Sequence, residues 1–209
     1  MASPQEDRKK LLLELYNQLW NSINVRLNLI WESIGIIVGA FAVYALTEKN
    51  IIGLDYATTL IVLLAFWFLL HIVDMTFWYN RNLVMIANIE KQFLNVEDAK
   101  LLYPYFLFHR KGNPPVSYLA IQAVLGLGIA AIVLVLHFLQ VILPRLCSRP
   151  ITLTLSATLP YAMLVVAIVV LAFWKQKRDS DYANLVHRSP GKDLSNEASQ
   201  EELGEFIQD

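Results

Sequence analysis

The chain has 209 residues, of which 56% are hydrophobic and 17% are charged, and its formal net charge is −1. Ordinary soluble chains are about 45–50% apolar, so this composition exceeds that of a typical soluble domain. The lack of a basic excess leaves no overall field to attract nucleic acid, and we expect no direct nucleic-acid binding. The single cysteine, Cys147, excludes an internal disulfide framework and a cysteine-rich metal site. The polar first ten residues do not resemble a signal peptide.

Four apolar blocks are each long enough to cross a membrane as a helix, which takes about 20 predominantly apolar residues. Charged or turn-forming residues flank every block, such as residues 47–50 after the first and Pro144 after the third. The blocks cover residues 27–46, 56–79, 118–143 and 152–174. We therefore predict an all-α protein, a bundle of four transmembrane helices arranged as two hairpins, 27–79 and 118–174.

The distribution of Lys and Arg predicts the orientation of these helices, because cytoplasmic flanks carry an excess of both residues. Of the 17 Lys and Arg residues, four precede the first block, five lie in 80–117 and five follow residue 174. The two remaining loops hold only Lys49, Arg145 and Arg149. We expect a multi-pass protein of the plasma membrane, the inner membrane in a bacterium, with both termini in the cytoplasm and Cys147 outside.

Helical patterns continue from the first two blocks into the predicted cytoplasmic segments. Residues 1–26 keep a helical spacing of apolar side chains, and Pro4 suits the first position of a helix. This amphipathic helix either lies on lipid headgroups or packs against a second cytoplasmic helix, and its weakly basic polar face favours packing. The start of segment 80–117 offers that partner, since the helical spacing continues towards Asn95. Residues 175–209 form a polar, acidic segment, for which we predict a largely disordered tail or, alternatively, a docking peptide.

Five ionisable residues lie in or beside the first hairpin, where burying a charge in hydrocarbon is costly. Glu32 lies in the first block, and His71 and Asp74 lie one turn apart in the second. Closing the hairpin brings Glu32 level with His71, while Arg26 and Arg81 flank the ends of the two blocks. We expect a structural cluster whose charges neutralise one another and hold the hairpin in register. The alternative is a proton or cation path, because His–carboxylate chains serve as relays.

Small residues and one proline mark candidate contacts between helices. Gly35 and Gly39 form a GxxxG pair in the first block, and Gly126 and Ala130 repeat the spacing in the third. Such pairs let helix backbones approach closely, within one chain or between copies. Pro160 removes a backbone hydrogen bond near the middle of the fourth block, so we predict a kink and a candidate hinge there.

The sequence contains no motif of a known catalytic site. It has no phosphate-binding GxxxxGK[ST], no HExxH, no GxSxG and no Cys/His metal spacing. The three histidines outside the cluster, His109, His137 and His187, are distant in sequence from one another and from expected acidic partners. We therefore expect no enzyme activity, no metal and no cofactor.

A resemblance to a known family comes from the end of the second block. The run from Trp78 to Leu83, followed by Ile86, Ile89 and Glu90, continues a span directly as a helix. This arrangement, over roughly residues 8–95, resembles the small bacterial membrane proteins of the SLATT type, which are associated with anti-phage defence. The resemblance implies a helical hairpin that forms a membrane-perturbing effector under the control of a partner protein or nucleotide signal. This chain departs from that type in having four predicted spans rather than two, and no attached sensor domain.

These patterns lead to one functional hypothesis and two alternatives. The resemblance implies an oligomeric membrane-disrupting effector or membrane-sensing subunit in bacterial anti-phage defence. Its expected partners are the lipid bilayer, further copies of the chain and a soluble cytoplasmic protein. The first alternative is a small ion channel or transporter that uses the Glu32, His71 and Asp74 cluster. The second is a membrane scaffold without conductance.

Overall fold

The computed structural model describes residues 4–94, 98, 112–147 and 154–189, with the backbone alone at 29–34, 36 and 37. Four long helices account for most of these residues, and no strand occurs among them. They are α1 (Pro4–Glu48), α2 (Leu54–Glu90), α3 (Ser117–Cys147) and α4 (Leu155–His187). The predicted all-α fold is confirmed.

Three of these helices, α2, α3 and α4, are long and apolar enough to cross a membrane. In α1 the described apolar stretch, Val38–Glu48, is shorter than a span. Helices suit hydrocarbon because they satisfy their backbone hydrogen bonds internally. Large apolar side chains also lie exposed on α3 and α4, among them Ile121, Val124, Ile132, Val135, Val165, Ile168, Val169 and Phe173. Length, composition and these exposed apolar faces indicate a membrane-embedded protein.

The turn between α1 and α2 ends the first helix where the sequence predicts. Asn50 has a positive φ of 54°, a conformation that Asn tolerates better than most residues. Its N–H donates to the Thr47 carbonyl at 3.0 Å, and the Ile51 N–H donates to the Leu46 carbonyl at 3.1 Å. This pair of bonds is a Schellman motif, which satisfies the last carbonyls of α1.

Helix α3 continues beyond the predicted end of the third span at residue 143. A π-helical turn, Phe138–Ile142, follows the α-helical part and is succeeded by a final α-helical turn, Leu143–Cys147. Within it, the Leu143 N–H donates to the Phe138 carbonyl, five residues back. Pro144 has no N–H for the Gln140 carbonyl, and the wider turn before it allows the helix to continue. The proline therefore does not end the helix.

The ends of α2 and α4 also differ from the prediction. Helix α2 ends at Glu90 and passes into turns, rather than reaching Asn95. Helix α4 runs to His187, well past the predicted end of the fourth span at residue 174. Buried Tyr182 packs against α2, which explains why residues 175–187 are helical rather than part of a disordered tail. Residues 190–209, which carry the predicted acidic docking segment, lie outside the described residues.

The chain divides into two compact units. One comprises Met1–Arg26, Phe77–Pro114 and Arg178–Asp209, and we call it the polar unit. The other comprises Leu27–Thr76 and Pro115–Lys177, and we call it the apolar unit. Helices α1, α2 and α4 each contribute residues to both units.

In the polar unit, α1 packs against α2 and α2 packs against α4. The Tyr16 hydroxyl donates to Glu90 at 3.3 Å, and the Arg8 guanidinium donates to the Gln92 side-chain carbonyl. Leu19 and Ile23 are buried on the same stretch of α1. The structure thus contains the helix–helix packing that the sequence favours for residues 1–26. The core between α2 and α4 is formed by Phe77, Val84 and Tyr182.

In the apolar unit, α1, α2 and α3 meet at small and branched side chains. Ala40, Ile61 and Val133 form a buried cluster with one residue from each helix. Gly126 on α3 faces the Phe68 ring on α2 so closely that a Cβ there would lie 3.0 Å from the ring. The small residue therefore allows the two helices to approach.

Candidate functional site

A fully buried histidine lies at the centre of a hydrogen-bond network in the apolar unit. His137 is 0% exposed, and its Nε2 lies 3.1 Å from Asp55 Oδ1. Its Nδ1 lies 3.1 Å from the Tyr161 hydroxyl oxygen. The same hydroxyl lies 3.4 Å from the Leu134 carbonyl oxygen, to which it can donate. Helices α2, α3 and α4 thus each supply one side chain to this group, which we call the His137 network (Asp55, His137 and Tyr161).

Local sequence features position each member of the network. Asp55 lies in the first turn of α2, where the helix dipole favours a carboxylate. His137 is the last residue before the π turn of α3, an irregularity that often marks functional sites. Tyr161 follows Pro160, which is fully buried inside α4.

The geometry lets the network hold a proton in either of two states. In the neutral imidazole with its proton on Nε2, that N–H donates to Asp55, and the Tyr161 hydroxyl donates to Nδ1. In the charged imidazolium, both ring nitrogens donate, and the Tyr161 hydroxyl turns to donate to the Leu134 carbonyl. Every group keeps a partner in both states. The hydrogen-bond geometry of the His137 network is therefore compatible with either state of the ring.

Further buried polar groups lie in the same unit. Thr58 is one turn from Asp55 on the same face of α2, and it is 0% exposed. Its hydroxyl has no hydrogen-bond partner among the described residues, in contrast to Thr59, which donates to the Asp55 carbonyl. Gln122 on α3 is also buried, and neither atom of its amide has a partner within the described part of the chain. Burying a polar group without a hydrogen-bond partner in apolar surroundings lowers the stability of the fold.

The five residues of the predicted charged cluster belong to different units. Arg26 and Arg81 lie in the polar unit, and both guanidinium groups stack on Trp78 with 4.7 Å to the ring centroid. His71, in the apolar unit, packs edge-on against Trp67, with 4.3 Å between the ring centroids. Asp74 lies half-buried in the apolar unit as well. The side chain of Glu32 lies outside the described residues.

The predicted packing residues fall into two classes. Gly126 is in close contact with α2, and Ala130 is half-buried one turn further along α3. Gly35 and Gly39 are exposed, and a Cβ at either would meet nothing within 4 Å. The pair in α3 therefore packs within the chain, whereas the pair in α1 is open. Pro160 lies inside an unbroken α4, and its role as a hinge stays a prediction.

The expectation that His137 has no acidic partner is wrong. Sequence distance hides the contact, because Asp55 precedes His137 by 82 positions. The predicted topology contains a usable signal, since the start of the second span, the end of the third and the start of the fourth meet at one membrane face. Asp55 and His137 lie near two of those ends, and Tyr161 lies further along the fourth span, beside Pro160.

Comparisons with known proteins add no assignment to this geometry. No family model, no curated protein and no solved structure matches the chain. Among the residues that the structure describes, no group of three or more His, Cys, Asp or Glu side chains could hold a metal ion. The site is therefore interpreted from its own chemistry.

Proposed function

We propose that the chain is a subunit of an oligomeric membrane assembly that acts as a membrane-disrupting effector or membrane-sensing subunit. The resemblance of residues 8–95 to the SLATT type is what suggests a role in bacterial anti-phage defence, and the proposed trigger is a soluble cytoplasmic protein. One observation carries the proposal: α1, α2 and α4 each contribute residues to both the polar and the apolar unit. A signal that repacks the polar unit would act on α2 and α4, which are two of the three candidate spans, and on α1, for which we propose a further span.

The proposal includes a fourth span, formed by residues 27–46 of α1. Two observations support it. Helix α1 is continuous from Pro4 to Glu48. Its Ala40 is buried against Ile61 and Val133, which belong to the candidate spans α2 and α3. The tight turn at Asn50 then returns the chain directly into α2.

Single-cysteine labelling with a membrane-impermeant thiol reagent tests the number and orientation of the spans. Cys147 is free and exposed, so wild-type protein in intact cells should be labelled from outside. In a Cys147→Ser background, Ser3→Cys and Ser195→Cys should be labelled only after the cells are opened. Four spans put both ends on one side of the membrane and three put them on opposite sides. Labelling of Ser3→Cys from outside, with Ser195→Cys protected, would therefore replace four spans by three.

The open faces of the single chain support an oligomer. Gly35 and Gly39 leave an uncovered groove on α1, and only 17% of the most apolar window of α4 is buried. If copies meet through α1, Gly39→Leu should reduce the mass of the detergent-extracted particle. Gly128→Leu is the matched control, because Gly128 on α3 is also open within the chain. A particle of one chain for the wild-type protein would rule out the oligomer.

A membrane-potential assay tests the effector role itself. We expect induced wild-type protein to depolarise bacterial cells only with its partner or an infection trigger. Tyr182→Ala should uncouple the response from the trigger, because this side chain is 2% exposed in the core of the polar unit. Tyr56→Ala, at a side chain that is 61% exposed, is the matched control and should behave as wild type. Unchanged triggering in Tyr182→Ala protein that is shown to be inserted would contradict control through the polar unit.

A small ion channel or transporter is the second candidate, and the His137 network is the observation that favours it. A buried histidine with a carboxylate and a hydroxyl partner is a typical element of proton relays in membranes. Reconstituted protein should then pass protons into liposomes that contain a pH-sensitive dye, and His137→Gln should abolish the flux without loss of insertion. A flux that survives His137→Gln would exclude this network from the path. Absence of any ion flux, together with absence of depolarisation, would leave the non-conducting scaffold.

A further inference from the structure

Two arginines from different helices share one tryptophan ring in the polar unit. The guanidinium carbons of Arg26 on α1 and Arg81 on α2 each lie 4.7 Å from the centroid of Trp78. The two cations are therefore no further apart than twice that distance. Cation–π attraction to the indole holds each of them in place, and both side chains are half-buried.

Arg81 lines a cavity of the polar unit together with Asp181, but no salt bridge among the described residues involves either arginine of the pair. Neither Arg26 nor Arg81 has a carboxylate within 4.0 Å among the described residues, and Arg26 has only a weak hydrogen bond of 3.5 Å to the Ser22 hydroxyl. A guanidinium group stays charged at every accessible pH, so the two cations repel each other. Arg178 provides the contrast: it stacks on Phe77 at 4.8 Å and has the Asp181 carboxylate 3.6 Å away.

The chemistry of the pair fits a phosphate group. Guanidinium groups present N–H donors in a planar fork that matches phosphate oxygens, and an anion between them would remove their mutual repulsion. Trp and Arg together are typical of the membrane–water interface. In the sequence, Arg26 directly precedes the first apolar block, and Trp78 and Arg81 lie at the end of the second. This position favours a phosphate that belongs to a lipid.

We propose that Arg26, Trp78 and Arg81 form a binding site for the phosphate of an anionic phospholipid headgroup. The two guanidinium groups bind the phosphate oxygens, and the Trp78 ring holds both cations in position. A zwitterionic headgroup binds less tightly because its own ammonium already neutralises its phosphate. The site concerns the polar unit alone and stands whether or not the protein disrupts membranes.

Native mass spectrometry of detergent-purified protein tests the site. The protein is titrated with phosphatidylglycerol and, separately, with phosphatidylcholine of the same acyl chains. Wild-type protein should bind phosphatidylglycerol about thirtyfold more tightly, as expected for two Arg charges near an anionic headgroup. The double variant Arg26→Gln/Arg81→Gln keeps polar side chains of similar length and should lose this preference. Arg178→Gln removes one charge from an arginine that already has a carboxylate partner, and it should leave the preference unchanged.

Further variants and a soluble competitor separate this lipid site from a general effect of charge. If the double variant unfolds, Arg26→Lys/Arg81→Lys keeps the charge without the fork and should still weaken phosphatidylglycerol binding. Equal loss in Arg178→Gln would show a general charge effect and overturn the site. An unchanged preference in folded double variant would overturn it as well. Glycerol 3-phosphate should fail to displace the lipid, and displacement would assign the site to a soluble phosphate compound instead.

Discussion

Different interactions stabilise the interior of the polar unit and the interior of the apolar unit. In the polar unit, side-chain hydrogen bonds join the segments: Asn80 donates to Asn113 at 2.8 Å, and Asn113 donates to Asp179 at 3.2 Å. In the apolar unit, close contacts of small side chains dominate, such as that of Gly126 with Phe68. Side-chain hydrogen bonds also occur there, in the His137 network and between Arg145 and Thr154. The difference follows from the surroundings, since hydrocarbon offers no hydrophobic gain between helices and leaves tight packing as the main attraction.

This contrast implies that the two units tolerate opposite kinds of substitution. A larger side chain should destabilise the apolar unit, where a glycine allows two helices to approach closely. Lost hydrogen bonds should harm the polar unit, where buried amides depend on one another. If added volume destabilised mainly the polar unit and lost hydrogen bonds mainly the apolar unit, the two units would not differ in what stabilises them.

The largest effect is expected from Gly126→Leu. A Cβ at this position would lie 3.0 Å from one ring carbon of Phe68 and 3.3 Å from another, so a larger side chain must push α2 and α3 apart. Overpacking of this kind typically costs about 1–3 kcal/mol, and we expect a loss near the upper value. Reversible unfolding in mixed detergent–SDS micelles measures it. Gly128→Leu on the same helix, with nothing within 4 Å, is the control and should be neutral or mildly stabilising.

A somewhat smaller loss is expected from Asn80→Ala in the polar unit. Asn80 is 1% exposed, and its amide donates both to Asn113 and to the Pro114 carbonyl at 3.0 Å. The substitution removes both hydrogen bonds of the buried Asn80 amide, which at about 1 kcal/mol each costs about 2 kcal/mol. The same unfolding measurement, together with hydrogen exchange at the amides of residues 77–90, should show destabilisation of the polar unit. Gln18→Ala, at an exposed residue, is the control. An equal loss there would show that the burial of Asn80 does not cause the destabilisation.

Removing one hydroxyl from the His137 network should have a more modest effect. Tyr161→Phe deletes the partner of His137 Nδ1 while keeping the ring. Hydrogen bonds between membrane helices contribute about 0.6 kcal/mol on average and about 1.7 at most, so we expect a loss of about 1 kcal/mol. Tyr56→Phe, at an exposed tyrosine of α2, should cost nothing measurable. A loss as large as that of Gly126→Leu would show that a polar network rather than packing dominates the apolar unit.

The apolar periodicity of the sequence and its turn-forming residues predict most of the fold. The apolar blocks locate α2, α3 and α4, and residues 47–50 locate the end of α1, because both signals are local. Three helix ends are mispredicted. Helix α2 stops at Glu90 rather than continuing towards Asn95. Pro144 does not stop α3 because a π turn adjusts the hydrogen bonding before it, and α4 extends to His187 because Tyr182 finds a tertiary partner.

The candidate sites are less visible in the sequence because they depend on contacts between distant segments. Arg26 and Arg81 are predicted at the ends of a hairpin, but their shared contact with Trp78 requires the register of α1 against α2. His137 has no sequence neighbour that indicates Asp55 or Tyr161. Only the order of the helices brings these side chains together.

The smallest expected effect is a pH dependence from Lys91, just after α2. Partial burial disfavours its charged form and lowers its pKa below the ordinary value of 10.5. The folded protein therefore releases this proton before the unfolded chain does, and stability rises with pH between the lowered pKa and 10.5. Other groups titrate in this range, so the measured quantity is the difference between wild type and Lys91→Gln. The melting temperature of wild type should gain on that of the variant as the pH rises through this window. A constant difference would mean that burial does not penalise the Lys91 cation, and a difference of opposite sign would mean that a partner stabilises it.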